Sequence, residues 1–150
     1  MTSWRALKGT KVMSKASAEK VGSVDRLVID VGARRITAVQ VAKGDVVAWE
    51  AISGIGDDAV IIDDRASVRS AAEGREARTL KGDLDIAGRR VLSDTGNLLG
   101  HVDDVELDEA TGTIEAIVTD QGRLDGDRLR AIGSWCVVVA HDPDHAARQA

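Results

Sequence analysis

The sequence of 150 residues has no Phe and no Tyr, and only one Pro and one Cys. Without Phe and Tyr, the core has to be built mainly from Val, Ile, Leu and Ala, which favours a β-rich fold. The lone Cys136 excludes an intrachain disulfide, and its apolar neighbours predict a buried, unreactive thiol. No apolar run is long enough for a membrane span, and the first residues lack the apolar segment of a signal peptide. We therefore expect a cytoplasmic protein without membrane insertion.

The charge is distributed unevenly along the chain, whose formal net charge is −5. Residues 1–75 carry 12 Lys and Arg against 10 Asp and Glu, whereas residues 76–150 carry 8 against 15. Neither half is basic enough to predict direct binding of nucleic acid. The basic pairs 34–35 and 89–90 are candidates for phosphate contact, but no aromatic residue that could stack on a base is near them in the sequence.

Two parts of the chain repeat one pattern. Residues 100–103 match residues 22–25, and residues 114–117 match residues 36–39, both at a spacing of 78. In each copy, short runs of Val, Ile and Leu alternate with turns rich in Gly and Asp. This pattern is typical of the hairpins of a small β-barrel. We therefore predict that the chain arose by internal duplication.

The repeat predicts a mainly all-β protein made of two tandem small barrels. The first barrel is expected over residues 1–62 and the second over residues 80–141. Residues 63–79 are polar, rich in Ala and without a β-pattern, so they are predicted to be a linker with some helix. Residues 142–150 are expected to form a flexible tail. The two barrels are expected to pack as a pseudo-dimer that buries their edge strands.

Three short motifs in the second copy suggest a family. A Gly-x-x-Val segment begins at Gly88, residues 100–108 have the pattern Gly-x-Val-Asp-Asp-Val-x-Leu-Asp, and residues 111–117 have the pattern Thr-Gly-x-Ile-x-Ala-Ile. Together they resemble the PRC-barrel domain, which is known from the cytoplasmic domain of the reaction-centre H subunit and the C-terminal domain of the ribosome-maturation factor RimM. The first copy departs from the pattern, since Arg26 stands where the second copy has Asp104.

The resemblance implies two tandem PRC-like barrels that act as a protein-interaction or assembly module, with a protein partner and no cofactor. A homodimer is compatible with this role. No Ser-His-Asp or Cys-His arrangement and no glycine-rich phosphate loop is evident, so we expect no catalytic residue and no enzyme activity. Two alternatives stay open, namely an RNA-processing or ribosome-associated factor and a metal- or small-ligand-binding stress protein.

The candidate interaction residues are Trp4, Trp49, Trp135, Arg26 and Asp104. Trp is over-represented among the residues that dominate binding energy at interfaces. In a chain without Phe and Tyr, however, the Trp side chains are also the natural fillers of the barrel interiors. Arg26 and Asp104 are candidates because the charge differs between the two copies at this position, which would give the barrels different partner preferences.

Asp104, Glu106 and Asp108 belong to the densest acidic cluster of the chain. On a strand they would share one face, where three carboxylates could bind a hard cation such as Ca²⁺ or Mg²⁺. The alternative is a solvated strand face on which Asp108 caps the following turn. We favour this alternative and predict no metal site. His141 and His145 have zinc-ligand spacing for a helix, but a proline between them argues against one.

Overall fold

The computed structural model describes residues 2–141, in which short strands predominate and helices are few. The first elements are β1 (Thr2–Ser3), α1 (Trp4–Leu7), β2 (Lys11–Ser14), β3 (Lys20–Ser23), β4 (Leu27–Asp30), β5 (Arg35–Ala42), β6 (Asp45–Ala48), β7 (Ile52–Ile55), β8 (Ala59–Ile62), β9 (Val68–Ser70) and α2 (Arg75–Leu80). They are followed by β10 (Arg90–Ser93), β11 (Leu98–Leu107), β12 (Ile114–Thr119), β13 (Gly122–Asp125), β14 (Leu129–Ile132) and β15 (Cys136–Val139). The predicted tail, residues 142–150, and His145 within it lie outside the described residues.

Both halves of the chain use the same strand topology. The first half forms two sheets, in the orders β3-β2-β8-β7 and β4-β5-β6-β9. In the second half the long strand β11 takes the place of both β3 and β4, so that one path runs β13-β12-β11-β10-β15-β14. Each half contains one parallel pair, β2 with β8 and β10 with β15, among otherwise antiparallel neighbours. The predicted fold of two tandem barrels is confirmed.

The two halves meet at the turns of their equivalent hairpins. The amide of Ile36 donates to the carbonyl of Gly112, and the amide of Ile114 donates to the carbonyl of Arg34, each over 2.8 Å. Since residues 34 and 36 are the repeat equivalents of 112 and 114, these bonds relate the halves by an approximate two-fold axis. A single cluster of buried apolar side chains includes residues of both halves. The barrels are therefore packed together as a pseudo-dimer.

The N-terminal segment joins the second half, although it precedes the first barrel. Strand β1 pairs antiparallel with β11, with Thr2 opposite Leu107 and Ser3 opposite Glu106. The side chain of Ser3 accepts a hydrogen bond from the amide of Ala6 over 3.2 Å and so caps α1. This segment ties the second half to the start of the first.

The predicted linker contains a helix, as expected, and also contributes to the first barrel. Strand β9 pairs with β6, so the edge of the first half is covered. On the outer face of the same sheet, Val28, Ala38 and Val46 form a small buried cluster against which Ala71 and Leu80 pack. The segment after β8 thus covers an apolar face that would otherwise be exposed to water.

The second half has an ion pair at the equivalent place. Glu106 and Arg123 correspond by strand register to Val28 and Val46, and the Arg123 Nε lies 3.0 Å from the Glu106 Oε2. Charged side chains at the surface need no apolar cover, so this face does not depend on a covering segment such as α2. None of the helices within residues 2–141 is long and apolar enough to cross a membrane.

An acid-sensitive contact holds the covering segment. The carboxylate of Glu76 accepts two hydrogen bonds from Arg69, over 2.7 and 2.8 Å, and one from the amide of Ala72 over 2.7 Å. The Arg69 hydrogen bond is the main cause of a lowered pKa of Glu76 in the folded protein. A carboxyl group with a lowered folded-state pKa stabilises the fold above its unfolded-state pKa, and this stabilisation is lost as the pH falls through the folded-state value.

We therefore expect Glu76→Gln to lower the free energy of unfolding by about 1 kcal/mol at neutral pH, because it removes charge-assisted hydrogen bonds. The difference from the wild type should shrink as the pH falls below about 4.3, the ordinary pKa of Glu. Urea unfolding at a series of pH values measures both effects. Glu73→Gln, close by and exposed, is the control that should leave the free energy of unfolding at neutral pH unchanged. A pH-independent loss in Glu76→Gln would contradict the prediction.

Candidate functional site

The outer face of the second barrel carries two large apolar side chains that are exposed to solvent. Leu98 is 58% exposed and Trp135 is 59% exposed, and they are the large hydrophobic residues of the described chain that stand out in this way. Leu98 begins β11, and Trp135 immediately precedes β15. Both strands flank β10, so the two side chains belong to one region of the sheet.

Further apolar residues form a row across four neighbouring strands of this sheet. Leu92 lies opposite Leu98 on one side and opposite Val138 on the other, and Val138 in turn lies opposite Ala131. These residues alternate along their strands with buried ones such as Val91, so they face outward. With strands about 4.8 Å apart, the row is roughly 14 Å wide. We call this row, together with Trp135, the Trp135 face.

The ring of Trp135 is held in position by an arginine. The Cζ atom of Arg90 lies 4.6 Å from the centre of the ring, and its Nη1 donates to the Trp135 carbonyl over 3.4 Å. A cation over an exposed indole contributes about 0.5–1 kcal/mol. Because the ring of Trp135 is already ordered, less conformational freedom would be lost when a partner binds it.

Cys136 lies opposite Arg90 on β15 and is half-buried, which corrects the prediction of a buried thiol.

The equivalent face of the first barrel has a different chemistry. Its row consists of Lys20, Met13, Ile61 and Gly54. By the repeat alignment, Lys20 replaces Leu98 and Asp58 replaces Trp135. The fold is therefore compatible with charged residues at both positions, and the apolar pair is specific to the second barrel. Leu98 lies outside the motifs that pointed to candidate residues, although a comparison of the two copies position by position shows that it replaces a lysine.

The structure places Trp4 and Trp49 in the core instead of on an interaction surface. They are 5% and 3% exposed, respectively. The indole Nε1 of Trp49 donates to the carbonyl of Glu109 over 3.1 Å, so it links the two halves. The interpretation of these two residues as partner contacts is therefore corrected to one of core packing. Of the three Trp residues, Trp135 is the one that is available to a partner.

Arg26 and Asp104 are both engaged within the chain. The Nε of Arg26 lies 3.1 Å from the Asp85 Oδ2, and its Nη1 donates to the Leu80 carbonyl over 2.9 Å. Asp104 accepts a hydrogen bond from the amide of Arg5 over 3.0 Å. Each residue therefore fastens a segment that differs between the halves: the end of α2 on the first barrel and the N-terminal segment on the second. The opposite charges of Arg26 and Asp104, at equivalent positions of the two copies, therefore hold different segments of the chain in place.

The three acidic candidates are not brought together around a common point. Asp104 bonds the N-terminal segment, Glu106 pairs with Arg123, and Asp108 accepts a hydrogen bond from the amide of Ala110 over 2.8 Å. The last contact is the turn cap that the sequence suggested for Asp108. Within residues 2–141 no group of three or more His, Cys, Asp or Glu side chains is placed to hold a metal ion.

The basic pairs are also largely used inside the protein. Arg34 donates to the carbonyl of Leu129 over 3.2 Å, and Arg35 pairs with Glu50 over 2.6 Å. Arg89 donates to carbonyl groups of the segment that precedes β10. The fourth arginine, Arg90, lies against the exposed ring of Trp135. Each of the four guanidinium groups thus has a contact within the described chain, and Arg35 is the one of the four that forms an ion pair there.

Comparison with protein-family models matches the PRC-barrel domain to residues 1–69 and again to residues 81–137. A search of curated proteins finds no match. The two matched stretches coincide with the two halves that share one strand topology, and the gap between them contains α2. Sequence motif, family match and duplicated topology therefore agree, and the chain belongs to the PRC-barrel family, with two copies of the domain.

Proposed function

We propose that this protein is a non-catalytic interaction module that binds another protein through the Trp135 face of its second barrel. The observation that carries the proposal is the exposure of two large apolar side chains, Leu98 on the outward row and Trp135, whose ring lies against Arg90 on the neighbouring strand β10. Apolar side chains grouped on a surface mark sites of protein association more often than isolated ones do. A Trp at such a site commonly supplies a large part of the binding energy.

The dimensions of the face favour a small element of a different protein over a second copy of this chain. Its footprint is roughly 14 Å by 10 Å, because the face crosses four strands and extends about three residues along a strand, from Val138 to Trp135. A stable interface usually buries about 800 Å² on each partner, which is several times this footprint. A single helix or hairpin of a partner matches the face better. A role as an RNA-binding factor has less support, because the paired arginines bond within the chain.

Affinity capture from a native lysate of the source organism tests the proposal. The wild type is compared with the double variant Leu98→Lys/Trp135→Ala, in which Leu98 receives the residue found in the first barrel. We expect the double variant to recover roughly tenfold less of the partner protein than the wild type does, because a central contact residue of an interface has been removed. Recovery should also survive nuclease treatment.

Met13→Lys is the matched control, since it places a lysine on the equivalent row of the first barrel. It should recover the partner as well as the wild type does. Equal recovery by the wild type and the double variant would overturn the proposal. Recovery that disappears after nuclease treatment would favour the RNA-associated alternative instead.

A further inference from the structure

A cleft on the first barrel has features that the Trp135 face does not explain. It has a volume of about 690 Å³ and lies where the segment before β2, strand β3 and the end of β5 meet. Its charged and polar walls include Lys8, Lys20, Lys43, Asp25 and Gln40. We propose that this cleft, which we call the lysine cleft, binds an extended acidic peptide segment of a partner protein.

The lysine cleft holds positive charge that has no partner inside the protein. Within the described chain, none of the ammonium groups of Lys8, Lys20 and Lys43 takes part in an ion pair or a side-chain hydrogen bond. Arg26 also lines the cleft but is engaged by Asp85. Among the described residues of the lining, Asp25 is the one with an acidic side chain. A ligand that brings carboxylates would therefore meet an excess of unpaired cations.

A second observation points to a ligand with hydrogen-bond donors. Gln40 lines the cleft and is 6% exposed. Its Nε2 donates to the carbonyl of Ala42 over 3.2 Å, but its Oε1 is buried and accepts no hydrogen bond in the described structure. A buried acceptor without a donor is unfavourable, and such groups in native proteins usually have a partner. The backbone N–H of a bound peptide is a donor of the required kind, provided that the Gln40 side chain turns so that its Oε1 faces the cleft.

The second barrel shows that the fold itself does not require these groups. By the repeat alignment, Ala87, Leu98, Val118 and Gln121 take the places of Lys8, Lys20, Gln40 and Lys43. The same strand topology therefore forms without any of the three lysines and with an apolar residue in place of the buried amide. Their presence together in one cleft of the first barrel is thus not explained by barrel formation.

The lining favours a peptide over a nucleic acid. None of the described residues that line the cleft is aromatic, so bases would have nothing to stack on there. The net charge of −5 also opposes a long polyanion, whereas a short acidic segment would interact mainly with the local lysines. Because the cleft is open to solvent, an extended segment can lie along it.

Fluorescence anisotropy with a labelled hexaglutamate peptide tests this inference on the full chain at low ionic strength. We expect saturable binding to the wild type and binding weakened roughly tenfold in Lys20→Gln/Lys43→Gln, because two charge-assisted contacts are removed. The matched control Lys15→Gln/Arg130→Gln changes the net charge by the same amount at basic residues outside the cleft, with Arg130 on β14 of the second barrel. It should bind within about twofold of the wild type, as expected for distant, screened charges.

Further outcomes separate the alternatives. Gln40→Val, which introduces the second-barrel residue, should weaken hexaglutamate binding while the variant stays folded by circular dichroism. Equal weakening in the cleft variant and in the control variant would show that only net charge matters and would overturn the proposal, as would the absence of hexaglutamate binding. Tighter binding of an oligothymidine, weakened by the same lysine substitutions, would show that the ligand is a nucleic acid and not a peptide. Trp135→Ala should leave hexaglutamate binding unchanged, so this test is independent of the Trp135 face.

Discussion

Replacing Gly112 by Ala is expected to lower the free energy of unfolding by about 3 kcal/mol, which combines a backbone and a contact effect. Gly112 has φ +76°, a conformation that is unfavourable for a residue with a Cβ. An added Cβ would also lie 2.7 Å from the carbonyl oxygen of Ile36 and 3.1 Å from the Cδ1 of Trp49. Ile36 belongs to the other half, and its amide bonds the carbonyl of Gly112 itself. The substitution therefore forces the two hairpin turns apart.

The matched control for this variant is Gly88→Ala. Gly88 has the same φ of +76°, but nothing lies within 4 Å of the position that its Cβ would occupy. It should therefore lose only the backbone contribution, about 1 kcal/mol. Urea unfolding followed by circular dichroism measures both variants, and the difference between them reports the close approach of the two halves. Equal destabilisation by both substitutions would show that the contact between the turns contributes little.

Replacing Trp49 by Ala is expected to destabilise the protein by about 3–5 kcal/mol, the range for the loss of a large buried aromatic side chain. The indole is 3% exposed, so its removal leaves a cavity beside the turn of the other half. It also leaves the carbonyl of Glu109 without the indole as donor. The few large side chains of a core without Phe and Tyr make compensation by repacking difficult.

Trp135→Ala is the natural comparison, because it removes the same side chain from the surface. It should change the free energy of unfolding by less than about 1 kcal/mol, mainly through the loss of the contact with Arg90. Circular dichroism is the suitable probe for both variants, since each alters the Trp fluorescence. If Trp49→Ala does not fold, Trp49→Phe retains most of the volume and should lose only about 1–2 kcal/mol. Similar stability losses at Trp49 and Trp135 would contradict the distinction between core and surface.

The duplication explains how one fold can carry two different surfaces. Once the strands, turns and inner apolar residues of a barrel are in place, its outer residues can change with little effect on stability. Leu98 and Lys20 occupy equivalent positions, as do Trp135 and Asp58. The second barrel thus presents an apolar face and the first a cleft with lysines. The positions that differ between the copies, more than those they share, are where we place function.

Much of the fold could be predicted because it depends on local patterns. The repeat of Gly, Val and Ile at a spacing of 78 indicated two equivalent hairpins, and both form, as β4-β5 and as β11-β12. Turn residues such as Asp108 act through their own neighbours, so the cap on Ala110 was foreseeable from the sequence. The lack of Phe and Tyr correctly indicated a core of branched aliphatic side chains.

The site was less predictable because it depends on which residues the fold places side by side. Trp4, Trp49 and Trp135 look alike in the sequence, and only packing across the two halves buries the first two and leaves the third exposed. Arg26 similarly meets Asp85 only because α2 folds back onto the first barrel.

The sequence by itself thus determined the family, the duplication and the β-rich class, since these follow from short-range periodicity and motif spacing. The tertiary structure alone decided the two-fold contact between the turns, the cover that α2 provides and the division of the three Trp residues. These features depend on contacts between residues far apart in the chain, which local patterns do not encode. The repeated hairpin holds the two barrels together, and the outer residues that differ between its copies distinguish them.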